Sequence, residues 1–257
     1  MYLIRYLSGS GRGSIQYGYL DGDQVGSING DIFGEFARGE IVASLAEVAL
    51  LPPVAPSKVL TLGVNFADQL RASGLAAPSL PPLVFKAPSA IIGPGAAIRL
   101  PAQSQSVEHG AALAVVIGRT GRWISPEAAS RYILGYTCAG DLRATDIAGL
   151  DQGWTRAASF DTFCPLGPAI ATHVNPTELI IRSAVNGTTR QMTSTHDMLF
   201  TVAQVVAFAS GAMTLLPGDV ILMGTPAGAD LVNAGDTVEV SIEGVGVLSN
   251  PVIAEQS

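Results

Sequence analysis

Short apolar segments separated by turns make up most of this chain. Near the N-terminus, apolar and polar residues alternate through MYLIRYL and SIQYGYLDGDQVGSI, and Asp21-Gly22 between such segments predicts a hairpin turn. Asn186-Gly187 predicts a second hairpin, because this dipeptide tolerates the positive φ angles of a type I′ turn. Further strands are expected at 58–63, 83–86, 98–100, 113–117, 135–141, 179–185, 220–223, 237–242 and 245–248.

Helical signals are few. Apolar residues recur at helical spacing over 41–49 and 198–213, and Ser125 followed by Pro126 and Glu127 is typical of a helix N-terminus. Many short strands, few helices and no repeating βαβ order predict a mixed α/β fold that is mostly β and largely antiparallel.

Proline positions divide the chain. The segment LPPVAPS at 51–57 has three prolines in seven residues and predicts a linker. We therefore expect a small N-terminal β module with its linker at 1–56 and a main domain at 57–257. A second stretch at 75–82, rich in Ala, Pro and Ser, is either a lid over a site or an irregular surface loop.

Composition excludes several classes of protein. The chain has 257 residues, is 48% hydrophobic and 14% charged, and carries a net charge of -7 without a basic stripe, which argues against nucleic-acid binding. No apolar segment has the roughly 18–20 residues that span a bilayer, and the first residues do not resemble a signal peptide. Cys138 and Cys164 lie in apolar stretches, so free buried thiols and a cytoplasmic location are expected. No spacing of Cys or His suggests a zinc site.

A series of motifs resembles the fumarylacetoacetate hydrolase superfamily over about Lys58 to Pro251. The matching segments, in order, are GVNFAD at 63–68, FKAPSA at 85–90, LAVVIGR at 113–119, GYT at 135–137, WTR at 154–156, FDTFCPLGP at 160–168, DM at 197–198 and PGDVILMGTPAG at 217–228. The resemblance implies a mixed β-roll with a substrate cleft, usually a homodimer. Members of the family act on 1,3-dicarbonyl compounds or 2-oxo acids, commonly with a magnesium ion that stabilises an enolate.

The chain departs from the family pattern where the chemistry resides. Two of the three metal-binding carboxylates of the family match Gly110 and Ala112, which leaves Asp141. The His-x-x-Glu base pair of the family matches Gln69 and Ala72, and a frequent lysine matches Ala158. We therefore expect no dedicated metal site and no cofactor, with at most weak magnesium binding through a substrate.

The remaining polar groups are the candidate site. Lys86 and Asp141 form either a catalytic pair or a buried ion pair in the space the metal vacated. Glu108 and His109 are a possible acid–base pair, although strand neighbours point to opposite faces and only one of them can face the cleft. The expected substrate-binding residues are Gln69, Arg143, Arg156, Gly224, Thr225 and Pro226.

Two functional hypotheses follow. The first is a metal-independent enzyme, an isomerase, tautomerase or cyclase of specialised metabolism, that binds a small carbonyl- or enol-containing substrate in a cleft made more apolar by the lost polar groups. The second is a non-catalytic binding or structural relative; a conventional hydrolase or decarboxylase is a further alternative. An open cavity would favour the first hypothesis and a collapsed cavity the second.

Overall fold

The computed structural model describes residues 1–8 and 13–255. The first strands are β1 (Tyr2–Leu7), β2 (Ile15–Asp21), β3 (Gln24–Gly30), β4 (Phe36–Ser44), β5 (Ala49–Leu50), β6 (Val59–Leu62), β7 (Leu83–Lys86), β8 (Ile91–Ile92) and β9 (Ile98–Leu100). They are followed by β10 (Val107–Ile117), β11 (Ile133–Ala144), β12 (Cys164–Ala171), β13 (Ile180–Val185), β14 (Thr188–Ser194), β15 (Val220–Leu222), β16 (Asp230–Leu231), β17 (Thr237–Ile242) and β18 (Gly246–Ala254). The helices are α1 (Ala67–Ser73), α2 (Thr145–Asp151) and α3 (Val202–Ala212), with 3-10 turns at Leu45–Glu47, Pro88–Ala90, Pro126–Tyr132 and Thr195–Asp197.

The strands form two sheets. The larger has the order β4-β3-β2-β1-β12-β11-β10-β15-β6-β7, and β5, β8 and β16 pair with it off this path. The smaller has the order β14-β13-β17-β18-β9. Among the described strands only the β15–β6, β12–β8 and β18–β9 pairs are parallel. The predicted mixed, mostly β and largely antiparallel fold is confirmed.

β10 and β11 are the long central pair of the larger sheet, with 11 and 12 residues. Almost every residue of β10 is buried, because apolar clusters cover both faces of the sheet at this point. Ala112 and Ala114 pack into one cluster, and Ala111 and Leu113 into the other. Side chains that alternate along β10 therefore enter different environments.

Both predicted hairpins are confirmed: β2 and β3 join at Gly22, and β13 and β14 join at Asn186-Gly187 with φ angles of 51° and 76°. The helix signal at 198–213 gives α3, which starts in a capping box between Thr201 and Gln204. Ser125 precedes a 3-10 helix.

Cys138 and Cys164 are buried and unpaired as predicted, and burial raises the pKa of each thiol to about 12.

The helix predicted over 41–49 is wrong. These residues continue β4 to Ser44 and then form the short 3-10 turn Leu45–Glu47. β4 pairs with β3 through irregular register, with Ile41 opposite Gly26 and Ala43 opposite Val25. Strand pairing with a neighbouring hairpin overrides the local helical spacing of the apolar residues.

The N-terminal strands are continuous with the rest of the sheet, because β1 pairs with β12. The segment 51–57 lacks regular structure, yet Val54 is buried in the core. The domain boundary at 56 stays a prediction. No helix in the described residues is long and apolar enough to cross a membrane.

Candidate active site

A cavity of about 510 Å³ lies beside the polar ends of β10 and β11. One wall comes from β6, α1, the loop after α1 and β7, and the other from Glu108, Asp141, Arg143 and Trp154. A larger, more open depression of about 690 Å³ borders β1 and the small sheet, where the charged lining residues are Arg182 and Glu243. We assign the candidate site to the first cavity, because several candidate residues of the sequence line it.

Asp141 lies at the base of this cavity and is held by two donors. The Lys86 ammonium donates to Asp141 Oδ1 at 2.8 Å and to the Leu142 carbonyl at 2.8 Å, and the Thr61 hydroxyl donates to Oδ2 at 2.9 Å. Burial opposes ionisation of Asp141, but the charges of Lys86 and Arg143 and the two hydrogen bonds outweigh it, so its pKa lies below the usual value. Asp141 is therefore a fixed carboxylate, and Lys86 positions it from behind the cavity wall.

Glu108 and Arg143 form the second charged pair, and both line the cavity. They are cross-strand neighbours on β10 and β11, with Arg143 Nε 3.4 Å from Glu108 Oε2. The Arg143 guanidinium also lies 5.9 Å from the centre of the Trp154 ring. The Glu108 side chain keeps 30% of its surface exposed, so it is the accessible carboxylate of this pair.

His109 lies on the opposite face of β10 from Glu108. Its side chain is buried next to Gly140 and Pro165, and neither ring nitrogen has a hydrogen-bond partner among the described residues. Burial lowers the pKa of His109 to about 4, despite the opposing charge of Asp141. The structure thus separates the adjacent acid and imidazole, and it places the acid in the cavity.

The segment Gly224-Thr225-Pro226 is buried against β10. Gln191 fixes it: Nε2 donates to Thr225 Oγ1 at 3.0 Å and to the Pro226 carbonyl at 2.7 Å, while Oε1 accepts from Ala111 N at 2.7 Å. None of the three lines the cavity, so the structure does not bring this predicted binding segment to the site.

The two remaining candidates have different positions. Gln69 lines the cavity, but its side-chain amide is hydrogen-bonded to the backbone of its own turn. Its Oε1 accepts from Asn65 N, and its Nε2 donates to the Gly63 carbonyl. Arg156 borders a separate depression and forms a bidentate pair with Asp151 at 2.6 and 2.8 Å. Gln69 therefore shapes the cavity, and Arg156 lies outside it.

The residues at the positions that the motif resemblance assigns to the metal do not fit a divalent cation. Gly110 and Ala112 supply no side-chain oxygen, and the Lys86 ammonium already occupies one oxygen of Asp141. A Cβ atom on Gly110 would lie 2.3 Å from Thr225 Oγ1, so Thr225 fills the space where a longer side chain would start. Among the described residues, no group of three His, Cys, Asp or Glu side chains could hold a metal.

Sequence reasoning missed Thr61, which orients Asp141 in the site, and Gln191, which fixes the Thr225 segment against β10. Thr61 is a polar residue inside the buried strand β6, and that exception in an apolar segment was the available signal. Gln191 is a buried amide between exposed neighbours on β14. Its role depends on a contact with a segment far along the chain, which no local pattern indicates.

Comparison with known proteins identifies the fold. The family model for the fumarylacetoacetate (FAA) hydrolase C-terminal domain matches residues 58–253, and the model "Rv2993c-like, N-terminal" matches residues 1–53. An oxaloacetate tautomerase of Xenopus laevis is 39% identical over 225 residues, which cover 82% of this chain and 70% of that protein.

Solved structures of related proteins have the same fold. The 5-carboxymethyl-2-hydroxymuconate delta-isomerase of Mycobacterium smegmatis superposes with a TM-score of 0.93 at 39% identity, covering 99% of this chain and 100% of that chain. A fumarylacetoacetate hydrolase of Exiguobacterium antarcticum gives 0.88 at 31% identity, with coverage of 99% and 100%. These matches confirm the resemblance found in the motifs. The chain belongs to the fumarylacetoacetate hydrolase family.

Proposed function

We propose that this protein is a metal-independent isomerase or tautomerase that moves a proton within an enolisable carbonyl compound. The observation that carries the proposal is an open cavity in which the Glu108 carboxylate lies beside the Arg143 guanidinium. An open cavity is also what separates an enzyme from a non-catalytic relative whose site has collapsed. Relatives named as an isomerase and a tautomerase support the reaction class.

Each charged group has a role in such a reaction. Glu108 takes a proton from the carbon next to the carbonyl, and the C–H electron pair becomes the C=C bond of an enolate. Arg143 stabilises the negative charge on the enolate oxygen. Glu108 then returns the proton to that oxygen or to another carbon, which completes the isomerisation without water or a co-reactant.

Asp141 stays ionised and accepts a hydrogen bond from the enol hydroxyl. Lys86 and Thr61 fix its orientation, since they donate to its two oxygens. A rigid acceptor lowers the cost of aligning the substrate for proton transfer.

Hydrolysis fits this cavity less well. The position of the family's histidine base is Gln69, whose amide is engaged with its own backbone turn, and Ala158 lines the wall where a lysine is frequent in the family. Isomerisation and tautomerisation need no activated water. A ring closure would rely on positioning alone and would leave the Glu108 carboxylate without a use.

The test is proton exchange in the presence of EDTA. Enol-to-keto conversion of oxaloacetate is followed by absorbance, and loss of the α-protons of butyl acetoacetate in deuterated buffer is followed by NMR. We expect the protein to accelerate at least one reaction, and Glu108→Gln to lower that rate by about 10²–10⁴-fold, the usual contribution of a general base.

Glu127→Gln is the matched control, because Glu127 is exposed on the 3-10 helix Pro126–Tyr132 and does not line the cavity. It should keep the full rate. No acceleration above buffer, acceleration abolished by EDTA, or an unaffected Glu108→Gln variant would each overturn the proposal.

A further inference from the structure

We propose that the cavity selects an uncharged enolisable carbonyl compound that carries an apolar chain, in preference to a dicarboxylic acid. The inference rests on the proposed function for the reacting end of the substrate. The preference for an apolar, uncharged substrate is inferred from the apolar residues of one cavity wall and from the balanced charges of the other.

The wall formed by the loop after α1 and by β7 is apolar, whereas α1 itself contributes the polar side chains of Gln69 and Ser73. Leu75, Ala76, Pro78, Pro82 and Val84 come from this part of the chain and border the cavity. Leu75 is 62% exposed in the protein alone, so its apolar surface is available to a ligand. Covering such surface is favourable roughly in proportion to its area, and the wall therefore favours a hydrocarbon group.

The same wall carries no charged lining residue among the described part of the chain, since all three charged lining groups belong to β10 and β11. The site thus has a charged side for the reacting carbonyl and an apolar side. Trp154 and Ala158 extend the apolar surface across the cavity. A substrate with one polar end and one apolar end matches this arrangement.

The charges on the polar side are already balanced. Glu108 lies against Arg143, and Asp141 against Lys86, which also donates to a backbone carbonyl. A dicarboxylate would bring two further negative charges next to Glu108 and Asp141 and would have to compete with Glu108 for Arg143. Unpaired like charges in a partly buried site are unfavourable, so an uncharged ligand fits better.

Fluorescence of Trp154 measures binding directly. The chain has two tryptophans, and Trp123 is 73% exposed, so Trp123→Phe leaves Trp154 as the reporter. The probes are ethyl, butyl and hexyl acetoacetate, together with acetoacetate and oxaloacetate, all in EDTA. We expect Kd to fall by up to about fourfold for each added methylene that is buried, and both acids to bind more weakly than hexyl acetoacetate.

Variants separate the two walls. Leu75→Ser should flatten the dependence on chain length, whereas Leu150→Ser should keep it, because Leu150 is also exposed, at 76%, but lies outside the cavity. Glu108→Gln should strengthen acetoacetate binding at least tenfold by freeing Arg143, with little change for butyl acetoacetate. Both leucines are exposed, so neither change disturbs the core.

Oxaloacetate binding more tightly than hexyl acetoacetate, a Kd independent of chain length, or equal effects of the two leucine variants would overturn the inference. Its failure is distinguishable from failure of the proposed function. Binding of the esters without proton exchange would contradict the function alone, and exchange on oxaloacetate with no preference for the esters would contradict the substrate class alone.

Discussion

Lys86 and Asp141 show how one ion pair ties the stability of the protein to its site. The Lys86 side chain is fully buried and that of Asp141 is 6% exposed, so each charge depends on the other. Removing one partner of a buried pair leaves an unpaired charge, which costs more than removing both.

We therefore predict that Lys86→Met lowers the free energy of unfolding by about 3–5 kcal/mol, and that Lys86→Met with Asp141→Asn recovers more than half of this loss. Urea denaturation of the two variants and the native protein measures the difference. If the double variant is no more stable than the single one, the two charges are not coupled. If the double variant exchanges protons as fast as the native protein, the Lys86–Asp141 pair contributes to stability and not to catalysis.

His109 couples stability to pH. Burial holds the pKa of His109 at about 4 in the folded protein, below the usual histidine value of 6.5, so folding favours the neutral ring. The unfolded chain takes up the proton below pH 6.5 and the folded chain does not until about pH 4. The stability is thus complete above pH 6.5 and is lost as the pH falls towards 4.

We predict a loss of about 3 kcal/mol of unfolding free energy between pH 6.5 and pH 4 from this residue, at about 1.36 kcal/mol per pKa unit. His109→Leu should remove that component, and His196→Gln should leave it, because the His196 side chain is 80% exposed. Urea titrations at a series of pH values provide the measurement. An identical pH dependence in native protein and His109→Leu would contradict the prediction.

At the scale of elements, the segment after β15 packs on β10 and fills the space beside Gly110. Gly110 allows Thr225 to approach β10 closely, and Gln191 holds Thr225 there. Restoring carboxylates at Gly110 and Ala112 is consequently not enough to rebuild a metal site. The new side chain at 110 would collide with Thr225.

We predict that Gly110→Glu with Ala112→Glu gives no magnesium-binding heat in calorimetry, and that adding Thr225→Gly produces a binding isotherm. The third change removes the colliding side chain, and Asp141 then completes a set of three carboxylates, the oxygen donors that magnesium prefers. Thermal unfolding of both variants is the control for folding. Equal magnesium binding by the two variants would show that Thr225 does not occupy the space.

At the scale of the whole molecule, local patterns were sufficient for most of the fold. Alternation and turn residues identified β2 and β3, and Asn186-Gly187 identified the β13–β14 turn, because these signals lie within a few residues. The helix at 41–49 was mispredicted because pairing with β3 decides the structure there.

The site was predictable only in part, because contacts between segments distant in the sequence decide which residues reach it. The structure brings Lys86 to Asp141 and Glu108 to Arg143, and their catalytic roles stay predictions. The burial of Gly224-Thr225-Pro226 depends on Gln191 and could not be read from local sequence. Alternation along β10 implied that Glu108 and His109 face opposite ways, but burial decided which one met the cavity. The homodimer and the cytoplasmic location stay predictions.

The pairing of β1 with β12 has a consequence for synthesis of the protein on the ribosome. Tyr2 pairs with Ala171, so the first strand leaves the ribosome long before this partner exists. At about 5–20 residues per second, the delay is roughly 10 to 30 seconds. During that interval β2 and β5 are the partners available to β1 among the described strands, and one edge of the nascent sheet stays open to other chains. Slower translation before residue 171 would lengthen this exposure, and a chaperone that covers the edge would shorten it.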